Sequence, residues 1–284
     1  MLTAGHLREA VPLLLGEVSA RPNSAWLNYR LAWALDRLDM PDSALVFAER
    51  AWSLSPSRER YLAELLKSLS MSGRSDEVLA LAGYVRGGGV ARYYVAAAGD
   101  AASLSYLRTA AGSEDDSTAA DACCWLSILC LTRSAAESSI ALLERSVSLE
   151  PADPFYRSLL IQREAEAGML EEAMDDLAVL RMARSRDPLY WEAAASVAEA
   201  EGDDVRLAWA LRRSWQARQT AESGRALGWA LFSCAGRALY RGDPELAGQW
   251  LEEAAALGVD SVLCERTTEM LGAIAEFEER SDRW

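Results

Sequence analysis

Apolar residues recur along the chain at three- and four-residue intervals, the spacing of one buried helix face. Segment 139–151 shows the unit: an apolar stripe, small residues at Ser139 and Ser146, and a stop at Pro151. Moving on 34 residues puts Ala173, Leu177 and Leu180 in the places of Ser139, Leu143 and Ser146. A further 34 residues brings Leu207, Leu211 and Ser214. Turn glycines keep the same phase. Gly168, Gly202 and Gly242 each stand five residues before the opening small or apolar residue, at Ala173, Leu207 and Ala247. Near the start, Ala10, Ala44 and Val78 are spaced by 34, as are Pro22 and Pro56, and Gly73 precedes Val78 by five. A fixed period of this length marks stacked helix–turn–helix units, each unable to bury its apolar face alone.

The pattern places a lone helix at 5–20, either a half-repeat cap or part of a longer protein, then full repeats at 25–57 and 59–86. Three glycines within 86–90 predict a flexible break, followed by a short helical pair at 92–98 and 101–111. Gly73 and Gly99 are only 26 apart, so this unit is shorter than a full repeat. A polar, acidic loop at 112–117 precedes repeats at 118–152, 154–186, 188–219 and 225–258. The step from Gly202 to Gly242 is 40, which puts about six extra residues near 219–224. Segment 260–280 reads as an amphipathic helix capping the last repeat.

These residues resemble the tetratricopeptide repeat. Trp191 matches the aromatic that opens helix A of the family pattern. Leu31-Ala32 followed by Leu35 matches the middle of helix A, and Ala44, Ala48, Ala51 and Pro56 match helix B and its closing proline. Ala247, Leu251 and Ala254 match helix B again. The pattern departs at Asn28, where an apolar residue is expected, and at Ala48 and Ala82, where helix B expects a large one. The resemblance implies an all-α, right-handed superhelix of about six to seven helix–turn–helix repeats. It also implies a protein or peptide partner held on a concave face lined by the first helix of each pair.

Composition sharpens this reading in three ways. Over half the residues are hydrophobic, so a large core is available. The net charge is −14, which argues against a broad nucleic-acid surface. That charge is uneven: residues 1–111 carry 12 basic and 11 acidic side chains, and residues 112–284 carry 17 and 32. The change falls at the acidic loop, so the sequence divides into two blocks, 1–111 and 118–284. No apolar run is long enough to span a membrane and no leader pattern is visible, which suggests a cytoplasmic chain.

Candidate chemistry is sparse. Five cysteines form no disulfide spacing, and Cys123 and Cys130 read as core. His6 is the only histidine, so neither a zinc site nor a Ser/His/Asp triad has material, and nothing calls for a cofactor. The acidic pairs Glu171-Glu172, Asp175-Asp176 and Asp203-Asp204 read as solvated helix surface. Helical periodicity points Trp26, Tyr29, Trp33 and Arg37 of the first full repeat toward the concavity. It does the same for Trp229, Phe232 and Tyr240 of the last, while Arg60 and Lys67 supply cations in the second. Exposed aromatics there suit an apolar helix or an extended peptide. The leading expectation is an adaptor or scaffold without enzymatic activity. A structural subunit of a larger assembly, docking through its ends, and a small-ligand or peptide sensor are the alternatives.

Overall fold

A computed structural model describes residues 7–38, 40–87, 89–131, 136–184, 187–218 and 221–259, with Cys264 and Thr267. The segment expected to cap the last repeat lies outside these residues. Fifteen α-helices are present among those described, and no strand is. α1 (Leu7–Ala20) stands alone at the start, and the rest form pairs. These are α2 (Ala25–Arg37) with α3 (Pro41–Leu54), α4 (Glu59–Met71) with α5 (Ser75–Ala80), α6 (Gly89–Ala97) with α7 (Ala101–Ala110), and α8 (Asp116–Leu131) with α9 (Ala136–Leu149). Then come α10 (Pro154–Glu166) with α11 (Leu170–Arg184), α12 (Pro188–Glu201) with α13 (Asp204–Arg218), and α14 (Ala221–Tyr240) with α15 (Pro244–Ala256).

Local chemistry sets these boundaries. α10, α12 and α15 each open on an Asp-Pro step. The carboxylates of Asp153, Asp187 and Asp243 accept from the backbone N–H of Phe155, Leu189 and Leu246, and proline fills the position whose N–H would be orphaned. The turns inside the pairs close on left-handed glycine: φ is 71° at Gly202 and 80° at Gly168, backbone that a side chain disfavours.

The 34-residue positions are the core. Ser139, Leu143, Ser146, Ala173, Leu177, Leu180, Leu207 and Ser214 are all buried, and Leu211 is half-buried. Buried serines need partners: Ser146 Oγ donates to the Ala120 carbonyl at 2.9 Å and Ser139 Oγ to the Ser127 carbonyl at 3.2 Å. Small residues at Ala44, Ala48 and Ala51 let α2 and α3 approach closely. Asn28 is fully buried where the repeat pattern expects an apolar side chain. Its amide donates to the carbonyls of Pro22 and Ser24, at 3.0 and 2.9 Å, and so ties down the turn from α1 into α2.

At the glycine-rich break α6 begins at Gly89, and hydrogen bonds hold Val85 and Gly87 before it. The Gly87 amide donates to Glu59 at 3.1 Å. Arg92 donates to the carbonyls of Val85 and Gly87, at 2.8 and 3.2 Å, and stacks 4.5 Å from the Tyr106 ring. One sequence expectation changes form. The extra residues before the last repeat lengthen α14 to 20 residues, against 13 or 14 for α2, α10 and α12. Across the acidic loop, α7 packs on α8 and α6 on α8, with Leu107, Cys123 and Leu126 sharing one cluster.

Packing between pairs is asymmetric. The first helices of successive pairs touch: α2 with α4, α4 with α6, α6 with α8 and α10 with α12. The second helices pack instead on the first helix of the next pair, as α3 does on α4 and α11 on α12. Close spacing on one side and wide spacing on the other curves the stack into a superhelix, with the first helices on the inside.

Two glycines in α14 offer a check on the packing. A methyl group at Gly228 would meet Val259 Cγ2 at 2.9 Å and Leu257 Cβ at 3.3 Å, whereas at Gly236 it would meet nothing within 4 Å. Gly228→Ala is expected to destabilise the protein by about 1 kcal/mol, and Gly236→Ala to stabilise it by about 0.5–1 kcal/mol. Urea unfolding of the two variants decides it; shifts of the same sign would refute the close approach of α14 to the 257–259 turn.

Candidate functional site

The inner surface is built from the first helices, and two regions of it carry distinctive side chains. At the N-terminal end, Trp26, Arg30, Trp33 and Arg37 run up one stripe of α2, opposite the buried Leu27, Leu31 and Leu35. The Arg30 guanidinium lies 5.8 Å from the Trp26 ring and 5.2 Å from the Trp33 ring, and Arg37 lies 5.3 Å from Trp33. Trp26 is 52% exposed. Tyr29 turns toward α4, where its ring meets Tyr61 at 5.2 Å and Arg60 covers both rings at 5.9 and 5.1 Å. Thus Trp26, Tyr29, Trp33, Arg37 and Arg60, five of the expected residues, come together. Arg30 was missed by the sequence expectation, although its position between two tryptophans at helical spacing was visible.

Lys67, the sixth residue expected at this end, serves the interior. Its ammonium lies 3.7 Å from Asp36 Oδ2, and the Asp36 side chain has no solvent exposure. Ser68 Oγ donates to the same carboxylate at 3.0 Å. Glu64, only 8% exposed, lies beside Asp36. Burial pushes the Glu64 carboxyl up to about 8; Lys67 pulls it back, and the neighbouring Asp36 adds to the rise. Burial likewise raises Asp36, against the opposing effects of neighbouring Glu64 and the Lys67 charge. Desolvation also holds Tyr94 above the ordinary phenol range, with Tyr93, Glu64 and Asp36 acting in the same direction.

At the C-terminal end, α10 packs on α12, but α14 packs on α13, and a cleft of about 490 Å³ opens between α12 and α14. Trp229 and Ala230 of α14 form one wall, and Glu192, Ser196 and Glu199 of α12 the other. Trp229 is 52% exposed. Glu192 accepts from Ser214 Oγ at 3.1 Å. Arg237 also lines the cleft, and its guanidinium binds Asp204 at 2.6–2.7 Å. Phe232 meets Trp229 at 5.9 Å but packs against the core of the last repeats, and Tyr240, 95% exposed, stands at the end of α14 away from the cleft.

Between these ends runs a row of rings that the sequence expectation did not single out. Tyr94, Tyr93, Trp125, Phe155 and Tyr156 succeed one another at 5.1, 5.0, 6.5 and 6.1 Å, linking α6, α8 and α10. The members fall in three different repeats at unlike positions, so no single-repeat pattern displays them.

The remaining candidate chemistry resolves into structure. Cys123 and Cys124 are fully buried, and desolvation pushes the Cys124 thiol up to about 12. Cys130 is not core as expected: it is half-buried and lines an apolar slot of about 250 Å³ with Leu104, Leu126, Leu129 and Leu142. Asp204 was read as solvated surface; it is buried, held by Arg237 and by Arg241 at 3.0 Å. Asp176 pairs with Arg157. Among the described residues no three His, Cys, Asp or Glu side chains gather as a metal site, and no helix is long and apolar enough to cross a membrane. His6 lies outside the described residues.

Stacked helix pairs on a 34-residue step, with small residues at the helix contacts and first helices inside the curve, define a tetratricopeptide-like α-solenoid. No protein-family model matches the sequence, and no curated protein matches it. Solved structures do. A chain of the APC/C hetero-tetramer Cut9–Hcn1 aligns with a TM-score of 0.52 and 14% identity, over 93% of this chain and 59% of that one. A tetratricopeptide repeat protein from Parabacteroides merdae ATCC 43184 aligns at 0.49 and 14%, over 94% and 93% of the two chains. At this identity the likeness is one of fold.

Proposed function

We propose that the protein is an interaction scaffold that holds a partner polypeptide along its inner face. The cleft between α12 and α14 carries this reading. It is the size of a side-chain-binding pocket, its Trp229 wall is half exposed, and its polar groups converge from two helices.

Selection of a displayed random-peptide library on the intact protein tests the reading. Selected peptides are expected to lose at least about tenfold in affinity on Trp229→Ala, the usual scale for truncating an aromatic anchor. Trp229 is exposed, so the variant is expected to keep its unfolding midpoint. Peptides that bind wild type and Trp229→Ala alike would remove the cleft from consideration.

A second reading, a subunit docking through its ends, draws support from α1. Its outer face leaves Leu13 72% and Leu15 42% exposed. Light scattering on Leu13→Ser/Leu15→Ser beside wild type separates the two; a wild-type monomer at high concentration would count against self-association through this face.

A further inference from the structure

Arginine beside tryptophan is common, but three features of α2 set its stripe apart. First, the guanidiniums are held in place. Arg30 bridges the turn between Trp26 and Trp33, and Arg37 approaches Trp33 from the following turn. Stacking on a ring engages the face of the guanidinium and leaves its edge, with the forked N–H donors, open to solvent. Second, the charges are unmatched. Among the described residues no carboxylate lies within ion-pair distance of Arg30, Arg37 or Arg60. Asp36 and Glu64, acidic side chains of α2 and α4, are buried, and Asp36 is engaged with Ser68 and Lys67. Third, the spacing is regular. Arg30 and Arg37 are seven residues apart on one helix face, about 10 Å at the helical rise.

We infer that the α2 stripe, with Arg60 beside it, is a docking surface for an acidic linear segment of a partner protein, read through its side-chain carboxylates. A bidentate fork on each arginine accepts one carboxylate, and the 52% exposed Trp26 takes an apolar side chain next to them. Carboxylates three residues apart on a polyproline-II segment return to one face and are separated by about 9 Å, close to the arginine spacing. A single-stranded nucleic acid fits less well. Base stacking needs open ring faces, and the Trp33 ring already carries two guanidiniums.

This inference rests on the scaffold reading and names the chemistry of the partner at its N-terminal end. The probe is a fluorescein-labelled twelve-residue peptide with Glu at every third position and Leu or Ala between, alongside its Gln counterpart. Both are titrated with the full chain by fluorescence anisotropy. The Glu peptide is expected to bind and the Gln peptide to bind at least about tenfold more weakly. Arg30→Gln/Arg37→Gln is expected to lose about tenfold for the Glu peptide with an unchanged unfolding midpoint. Arg30→Lys/Arg37→Lys is expected to fall between, because charge is kept and the fork is lost. Affinity is also expected to drop as salt rises from about 50 to about 300 mM. If the double Gln variant unfolds, Arg60→Gln alone must weaken the Glu peptide. Equal binding of the two peptides, no binding of either, an unchanged affinity in the folded Gln variants, or displacement by oligo-dT at equal concentration would each overturn the inference. Failure here with Trp229-dependent peptides still binding would remove the inference alone. The Glu peptide binding while no peptide depends on Trp229 would remove the cleft alone.

Discussion

Raising the pH from about 5 to about 8 is expected to cost the folded protein about 3 kcal/mol of stability at Glu64 alone, and Glu64→Gln is expected to remove that share of the total loss. The cause is the carboxyl pair under the inner face. Glu64 titrates near 8 in the folded chain because it is buried, and near 4.5 when unfolded. Between those values the folded state holds a proton that the unfolded state has released. Stability is therefore fully present below about 4.5 and falls as pH climbs through about 8. Asp36 is raised by burial and acts with the same sign. Glu164, buried beside Asp176, Glu144 and Glu172, is pushed up to about 7 and adds to the slope. Asp100 and Asp115, lowered by hydrogen bonds to Ser103 and Thr118, act below the usual aspartate range and leave this window alone. Thermal midpoints taken every half unit settle the matter. Wild type and Glu64→Gln with parallel pH profiles would mean that the pair ionises as if in water.

The second large effect is expected at Asp204. Asp204→Ala should destabilise the protein by about 2–3 kcal/mol, toward the lower end for a broken buried pair because the arginines reach solvent. Arg241→Ala should cost less than about 1 kcal/mol, since its side chain is 57% exposed and Arg237 still satisfies the carboxylate. Urea unfolding compares the two, and equal losses would contradict the assignment of Asp204 as the buried centre of the cluster. The variant bears on function as well. Freed from Asp204, Arg237 loses the partner that fixes it in the cleft wall, so Trp229-dependent peptides should bind more weakly to Asp204→Ala.

The repeat was legible because close packing leaves a periodic trace. Ala44, Ala48, Ser139, Ser146 and Ala173 are small where helices meet, and a period of 34 exposes them without any knowledge of the fold. The glycine turns were legible for a similar reason: left-handed backbone restricts the residue type. The aromatic–arginine stripe was largely legible because it lies on one helix, where spacing fixes the face. What escaped depended on contacts between repeats. Nothing local distinguishes Asp204 from the solvated Asp203 beside it; its burial comes from two arginines some 33 to 37 positions later. The same holds for Arg92, which closes the glycine-rich break from the next helix, and for Lys67, which looked like a groove cation until Asp36 appeared below it. Tyr240, expected on the inner face, stands at the C-terminal end of α14, exposed and outside the cleft lining.

The asymmetric packing of the stack has a mechanical meaning. From α2 to α8, where first helices touch along the inside and second helices part along the outside, the pairs form a row of wedges hinged on their inner contacts. Pulling the two ends apart rotates every wedge slightly, and the work is spread over many small rotations rather than concentrated in one broken interface. Such a stack is expected to stretch as a spring does, its inner channel narrowing or widening with extension. A molecule clamping the channel near α2 would stiffen the coil there and leave further stretching to the α12–α14 end.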